Sequence, residues 1–440
     1  IEITNSNNVE LNFNLFQKMK APLGQNGGAI FIQSAQIVKL CNSIFDSNTL
    51  QPGDDITTSS EVIGSAFYIN LADTITYYNN TVQKHSDYLN SVITFNSRTQ
   101  PIETPIQDNL PIKRKVSITD SKFIQNSYSK TDDGNGVGIY IEDYSEKILD
   151  PESYLLLIEF NGCSFESNGN PDCSSTILTW TRDTSCISFI NCKFESNLGQ
   201  SQCSFFKILN GLSFQIESST IDQFNGHNLI TYSPLTATNT DPLIKAIGVT
   251  LKECNFEHSD ATTSISTHFI ITEGNTVYSD ELNILSCNFT NIVIDTSNFL
   301  IFSNSLNLRV DDCKFSFESG KGRSVISSNK VDGVINVNNS DFTNCLTAVR
   351  MNQITENTIL LSCNFIECKQ NPVIYVQSKN YYAEDCHISF AAIAKVNGMQ
   401  FINSLNIEIS SSSFTNTGSN AIICDYKLDS SALKVISCSF

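Results

Sequence analysis

Short runs in which apolar and polar residues alternate recur along the whole chain. The clearest of them, residues 187–197, places Ile190, Cys192 and Phe194 at every second position and adds Asn197 three residues after the Phe. Alternation with a period of two indicates half-buried β-strands, because successive side chains of a strand point to opposite faces. We therefore predict that the aliphatic residue, the small residue and the Phe of each run point inward together.

The Phe of this run belongs to a column that recurs at intervals of roughly 25 residues, with longer intervals where loops are inserted. A single strand of this kind cannot bury its Phe, but stacked copies can. The pattern predicts a solenoid of β-strands with about 15 coils, in which the Phe of one coil stacks on that of the next. The predicted column consists of Phe16, Phe45, Phe123, Phe165, Phe194, Phe256, Phe289, Phe315, Phe342, Phe365, Phe414 and Phe440, with Val82, Ile221 and Ile388 in the other coils.

A second half-motif precedes the strand in several coils. Gly27-Gly28-Ala29-Ile30 stands before Phe45, and Gly64-Ser65-Ala66-Phe67 stands at the same distance before Val82. Gly followed by β-branched and aromatic residues is typical of a turn that leads into a strand, so each coil should contain at least two strands. We expect Asn residues in the turns to adopt the left-handed backbone conformation.

The two half-motifs, Gly27-Gly28-Ala29-Ile30 and Phe-x-x-Asn as in Phe165-Glu-Ser-Asn168, resemble the repeats of polymorphic outer-membrane-type proteins. The Asn- and Ser-rich, Cys-containing variant resembles the very long surface proteins of ciliates. The resemblance implies an all-β, right-handed parallel β-helix of the pectin-lyase-like fold with loop insertions. It covers essentially the whole chain, weakens in the second half, and is specific for the fold rather than for the function.

The repeat favours one solenoid domain over residues 1–440, with most loop insertions in residues 1–250 and regular coils in residues 280–440. A binding surface is expected among the insertions, because loops carry most binding residues. The chain starts with Ile1 and stops at Phe440 within a repeat. We therefore expect both ends to continue into further repeats or into a neighbouring subunit.

A formal net charge of −18 argues against nucleic acid and anionic membrane surfaces as partners. The sequence has no apolar run of about 18 residues, so this segment is not expected to span a membrane. Acidic pairs such as Asp54-Asp55, Asp132-Asp133 and Asp311-Asp312 could hold Ca²⁺, although solvated surface charge is the simpler interpretation. No cofactor is otherwise indicated.

Many of the 15 Cys residues occupy the small inward position, where other coils carry Ser. We interpret these as small buried residues rather than as nucleophiles or metal ligands. Cys345 and Cys368 each lie three residues after a Phe in adjacent coils, where stacking would bring them within disulfide reach. Cys173 and Cys186 flank one insertion and form a second candidate pair. Disulfides would fit an extracellular or cell-surface location.

Three Asn-x-Ser/Thr sequences could accept N-glycans. The alternation predicts that Asn79 and Asn288 point outward, so both are candidate glycosylation sites of a secreted protein. Asn338 lies four residues before Phe342, at a position that we predict to be inward, and it is not expected to be glycosylated.

Since many pectin-lyase-like proteins cleave polysaccharides, the resemblance raises the question of catalysis. Glycoside hydrolysis requires paired carboxylates at set distances, and no such pair stands out in the sequence. Arg309 beside Asp311 and Asp312 is the neighbourhood closest to lyase chemistry, but Asp311 is predicted to be inward, which favours a buried ion pair or a polar contact at the edge of a coil. No catalytic residue is predicted.

Two hypotheses of different classes follow. The first is an extracellular structural or cell-surface glycoprotein that forms rods or fibrils and is not an enzyme, with glycans and further copies of itself, end to end or side by side, as partners. The second is a carbohydrate-binding or polysaccharide-cleaving β-helix, either a lyase or a hydrolase. An adhesin lies between them. Three or more carboxylates on one exposed face of adjacent coils would favour the second hypothesis.

Overall fold

The computed structural model describes a chain built from parallel β-strands. No helix occurs among the described residues, and every strand pairing recorded for them is parallel. The fold is a right-handed parallel β-helix, as predicted. The described residues are 1–22, 28–51, 66–87, 93–96, 114–128, 139–143, 156–168, 177–181, 185–197, 204–211, 213–222, 228–234, 248–257, 268–273, 281–294, 297–318, 323–353, 355–369, 372–390, 397–415, 420–425 and 432–440.

The chain divides into two compact units, Ile1–Ile244 and Lys245–Phe440. In each unit we distinguish three sheets. Sheet 1 contains the strands that lead directly into the Phe column, sheet 2 contains the short strands of the Phe column itself, and sheet 3 contains the strands that follow the Gly-rich half-motif or its equivalents.

In the first unit, sheet 1 consists of Glu2–Asn12, Ile30–Cys41, Phe67–Tyr78, Arg114–Thr119, Leu156–Asn161, Ser185–Ile190 and Ser213–Glu217. Sheet 2 consists of Leu15–Gln17, Ile44–Asp46, Thr81–Gln83, Lys122–Ile124, Ser164–Glu166, Lys193–Glu195 and Thr220–Asp222. Sheet 3 consists of the leading part of the long strands together with Ile93–Asn96, Ile139–Asp143, Ile177–Thr181, Ser204–Gly211 and Asn228–Pro234. Two further short pairs are Lys20–Pro22 with Thr49–Gln51 and Ser86–Asp87 with Ser127–Tyr128.

In the second unit, sheet 1 consists of Gly248–Lys252, Glu281–Leu285, Asn307–Asp311, Val334–Asn338, Thr355–Leu361, Ser378–Glu384, Asn406–Ser410 and Ala432–Ile436. Sheet 2 consists of Asn255–Glu257, Asn288–Thr290, Lys314–Ser316, Asp341–Thr343, Asn364–Cys368, His387–Phe390 and Ser413–Thr415. Sheet 3 consists of Ile270–Thr272, Phe299–Ser303, Ser324–Ser328, Val349–Met351, Ile374–Val376, Met399–Ile402 and Ile422–Asp425.

Sheet 2 stacks the Phe side chains in register inside the coils. Phe165 pairs with Phe123 and with Phe194, and its ring centroid lies 4.8 Å from each of theirs. Phe315 stands in the same relation to Phe289 and Phe342, at 4.9 Å. These offset-stacked rings cover one another's faces and remove a continuous apolar column from water. The same register holds Phe45, Val82, Ile221, Phe256, Phe365, Ile388 and Phe414.

Two residues form the first corner of each coil, between sheet 1 and sheet 2. The first residue of the pair is left-handed, as shown by Asn191 with φ of 53° and by Gly162 with φ of 66°. The second is a small buried residue in most described coils, as shown by Cys192 and Ser121, whereas Asn80 takes this place in one coil. The thiol or hydroxyl of the small residue donates to the backbone carbonyl two residues earlier, at 3.4 Å for Cys192 and 2.9 Å for Ser121.

At the first corner, the inward and outward positions differ from those that the sequence predicted. A left-handed residue turns the chain, so the alternation shifts by one position across it. Phe189 and Cys192 are therefore both buried, whereas Ile190 between them is half-buried on the outward face. Asp311 and Asn338 occupy the register of Ile190, and both lie outward beside buried neighbours on their strands. The predictions that these three residues point inward were wrong.

The Asn of Phe-x-x-Asn stands in a second corner, directly after the sheet 2 strand. The left-handed residue here is Ser167, with φ of 52°, and not the Asn that follows it. Asn168 is buried, and its side-chain amide makes hydrogen bonds with two backbone groups of the preceding coil, the N–H of Asn126 and the carbonyl of Phe123. Left-handed Asn residues occur, as expected, in the turns: Asn42 and Asn191 at first corners, and Asn291 and Asn344 at the second-corner position of Ser167.

Candidate functional site

The outward face of sheet 2 in the first unit carries a column of three carboxylates. Glu166, Glu195 and Asp222 each follow directly after a residue of the Phe column and pair in register across adjacent coils. Neighbouring strands of a sheet are roughly 4.8 Å apart, so these like charges stand side by side at half-buried positions. We call Glu166, Glu195 and Asp222 the carboxylate column.

The ammonium group of Lys193 lies beside the carboxylate column. Lys193 forms an ion pair with Glu195 on the same strand. The hydrogen bond with Glu195 and the charge of that group raise the pKa of Lys193, and Glu166 and Asp222 add to the effect. The hydroxyl of Ser164 donates to Glu166 Oε1 at 2.6 Å. Lys193 and Ser164 thus bind two of the three carboxylates of the column.

The strand spacing of the carboxylate column can be compared with the separation of catalytic carboxylate pairs. Adjacent members are separated by roughly 5 Å and alternate members by roughly 10 Å along the sheet, distances comparable with those of carboxylate pairs in retaining and inverting glycosidases. Sequence analysis missed the column, although Glu166 and Glu195 lie inside the motifs that it singled out. The signal is an acidic residue directly after the residue of the Phe column in three consecutive repeats, Phe165, Phe194 and Ile221.

Charged groups on the second unit form surface ion pairs. Arg309 Nη2 lies 2.7 Å from Asp311 Oδ2, with the two side chains 53% and 22% exposed, so the predicted buried pair is a surface pair instead. Lys379 Nζ lies between Glu356 at 2.6 Å and Asp332 at 2.9 Å. Hydrogen bonds to these carboxylates raise the pKa of Lys379. Ion pairs this exposed contribute little to stability.

Two aromatic contacts lie on or beside the outward face of sheet 3 among the described residues. His268 and Phe302 stack with ring centroids 4.5 Å apart, and the guanidinium of Arg350 lies 5.6 Å from the centroid of the Tyr375 ring. Burial lowers the pKa of His268. In each contact, a side chain of one coil packs against a ring of the neighbouring coil.

Within the described ranges, no group of three or more His, Cys, Asp or Glu side chains is arranged to hold a metal ion. The candidate pairs Asp54-Asp55 and Asp132-Asp133 lie outside the described residues. Of the third pair, Asp311 is bound to Arg309, and the carboxylate of Asp312 accepts the hydroxyl of Ser286 at 3.2 Å.

Both predicted glycosylation sites lie at the surface. Asn79 is exposed at a first corner, and its side-chain amide donates to Asn42 Oδ1 at 2.8 Å. Asn288 is exposed on sheet 2 and donates in the same way to Asn255 Oδ1 at 2.8 Å. Each of the two Asn side chains therefore donates a hydrogen bond to an outward Asn side chain in a neighbouring coil.

Of the disulfide candidates, the structure brings Cys345 and Cys368 together. Both are buried in the second corners of adjacent coils, and their thiols are in hydrogen-bonding contact. Cys173 lies outside the described residues, and Cys186 is a half-buried free thiol.

Comparison with known proteins identifies no family. No protein-family model matches the chain, and no curated protein matches it. Among solved structures, a mutant of the PL6 family alginate lyase AlyGC aligns over 98% of this chain and 97% of its own, with 10% sequence identity and a TM-score of 0.21. Among the described residues, no helix is both long and apolar enough to cross a membrane.

Proposed function

We propose that this chain is an extracellular or cell-surface structural protein, a β-helical glycoprotein that assembles into rods or fibrils and has no catalytic role. The observation that carries the proposal is the way in which outward polar side chains bind their counterparts in neighbouring coils. Asn42 Nδ2 donates to Asn12 Oδ1 at 2.9 Å, and Asn79 continues the series. Asn380 and Asn406 form a second series with Asn357.

Such amide series use the outward groups to hold coils together rather than to bind a substrate. Glycans on Asn79 and Asn288 are part of the proposal, because both side chains reach solvent. Self-association, end to end or side by side, is also part of the proposal.

The test is peptide mapping of the protein recovered from its natural source, before and after enzymatic removal of N-glycans. We expect glycan-bearing peptides at Asn79 and Asn288, and none at the half-buried Asn338. Sedimentation of the same material should show assemblies larger than the 48.7 kDa chain. Unmodified Asn79 and Asn288 in a monodisperse monomer would overturn the proposal.

A polysaccharide-cleaving enzyme is the second candidate function, and the carboxylate column is the observation that favours it. The test is incubation with neutral and acidic polysaccharides, measuring new reducing ends for hydrolysis and unsaturated products for lyase chemistry. Cleavage that is lost in Glu195→Gln but kept in Glu408→Gln would replace the structural proposal. Glu408 is the matched control, because it is also an outward carboxylate paired with a lysine, at 3.1 Å from Lys434. Retention on a polysaccharide without cleavage would point to an adhesin.

A further inference from the structure

Cys345 and Cys368 occupy the same structural position in adjacent coils. Each follows a left-handed residue, Asn344 with φ of 57° and Glu367 with φ of 55°. The N–H of Lys369 donates to the carbonyl of Cys345 at 2.9 Å, so the two backbones are directly paired here. Backbones paired in this way are roughly 4.8 Å apart, within the Cα separation that disulfides span.

These two thiols differ from the thiols of the first corner. Cys363 donates to the carbonyls of Val337 and Leu361, both at 3.3 Å, and Ser340 takes the same place in a neighbouring coil. The recorded carbonyl contacts of Cys345 and Cys368 are all at 3.9 Å. First-corner thiols therefore combine a close carbonyl contact with a contact to the thiol of the neighbouring coil, whereas Cys345 and Cys368 have their mutual contact beside long carbonyl contacts.

The strand that contains Cys368 is irregular. The pairing of its strand with the next coil contains an irregularity between Ile366 and Cys368. Regular in-register strands hold the two side chains side by side along the sheet, and a local bulge allows one of them to turn toward the other.

We propose that Cys345 and Cys368 form a disulfide that joins two adjacent coils of the second unit. The oxidant is a low-molecular-weight disulfide such as glutathione disulfide. One protein thiolate attacks it and releases one thiol, and the second protein thiolate then attacks the mixed disulfide and releases the other. Two protein thiols are oxidised, the oxidant is reduced to two thiols, and these thiols take up the two protons. Because both sulfurs are buried in the folded chain, the exchange takes place while the coils assemble.

The test is to refold the 440-residue chain with glutathione disulfide, to alkylate it in denaturant without reduction, and to map the peptides. We expect a linked peptide pair that contains Cys345 and Cys368, while Cys363 and Cys386, which also meet across adjacent coils, are alkylated. Complete alkylation of Cys345 and Cys368, or their linkage to other cysteines, would overturn the proposal.

Two double variants make the test independent of mapping. Reduction with dithiothreitol should lower the urea midpoint of the wild-type protein and of Cys363→Ser/Cys386→Ser. The midpoint of Cys345→Ser/Cys368→Ser should not respond to reduction. If the wild-type midpoint is the same in both redox states, the proposed bond is absent. This result does not depend on glycosylation or assembly, so it stands apart from the proposed function.

Discussion

The side-chain oxygen of Asn168 accepts the backbone N–H of Asn126 at 3.1 Å, from a residue one coil earlier. The amide nitrogen of Asn168 donates to the carbonyl of Phe123 in that same coil, at 2.7 Å. Asn197 repeats the arrangement toward Asn168 and Phe165, at 3.0 and 2.9 Å. The buried Asn thus supplies partners for backbone groups at a corner where regular sheet pairing is interrupted.

Replacing Asn168 with Ala should strongly destabilise the first unit. Two buried backbone groups lose their partners, and each such loss costs about 1–3 kcal/mol. Urea unfolding should show a lower midpoint with an unchanged slope. The control is Asn288→Ala, which removes an exposed amide and should change stability by less than about 0.5 kcal/mol. Equal effects of the two substitutions would contradict the role of the buried amides.

His85 takes the place of this Asn in one coil and should make stability depend on pH. Its ring is fully buried, with Nε2 3.3 Å from the carbonyl of Phe45. Burial lowers the pKa of His85 from 6.5 to about 4, against the opposing effects of backbone hydrogen bonds and of Asp46. The unfolded chain therefore binds the proton more readily than the folded one.

It follows that the contribution of neutral His85 is fully present above pH 6.5 and is lost as the pH falls toward and through about 4. The difference in pKa corresponds to about 3 kcal/mol. Urea midpoints between pH 7.5 and pH 4 should fall more steeply for the wild-type protein than for His85→Asn, which retains a side chain suited to the corner. Parallel pH profiles of the two proteins would refute this assignment.

The left-handed first corner should discriminate among side chains at residue 191. A β-branched residue in this conformation is sterically unfavourable by about 1–2 kcal/mol or more, whereas Gly adopts it freely. Asn191→Val should therefore lower the thermal midpoint, and Asn191→Gly should leave it nearly unchanged. Gly162 occupies the same corner of the preceding coil with φ of 66°, so Gly162→Ala should also destabilise through the strain of a left-handed Ala. If Val and Gly are tolerated alike at residue 191, the corner is not left-handed.

Truncation of a stacked ring should be costly, but an aliphatic replacement should be milder. Phe194 lies between Phe165 and Ile221 in the column, and a core Phe→Ala change costs about 3–5 kcal/mol. Phe194→Ile should cost less, because Ile221 already fills the same position one coil later. Phe13, which is 79% exposed, provides the control substitution Phe13→Ala. Comparable losses for Phe194→Ala and Phe13→Ala would contradict the stacked core.

The repeat spacing was sufficient to predict the Phe column. A coil can bury its Phe ring only when that ring stacks on the ring of the neighbouring coil, so the Phe must recur at the same position in each coil. The alternation before each Phe could not be followed, because one left-handed residue such as Asn191 or Asp312 shifts inward and outward positions. Asn, Ser, Asp and Glu all occupy that corner, so no residue type signals it. This shift is the reason that Ile190, Asp311 and Asn338 were assigned to the wrong face.

The candidate site was less predictable than the fold. Glu166, Glu195 and Asp222 are separated along the sequence, and each by itself is an ordinary solvated residue. They are neighbours in the structure because the parallel strands of sheet 2 pair in register. The contact between Cys345 and Cys368 was predicted, because their positions relative to the Phe column are identical and the register carries them together.

The extracellular location on which the account depends can be measured directly by labelling intact source cells with a membrane-impermeant amine reagent. Lys193 and Lys434 are the reporters, since their side chains are 56% and 61% exposed. We predict that peptides containing these lysines are labelled on intact cells to the same extent as after permeabilisation. Labelling that occurs only after permeabilisation would place the protein inside the cell and contradict a surface structural role.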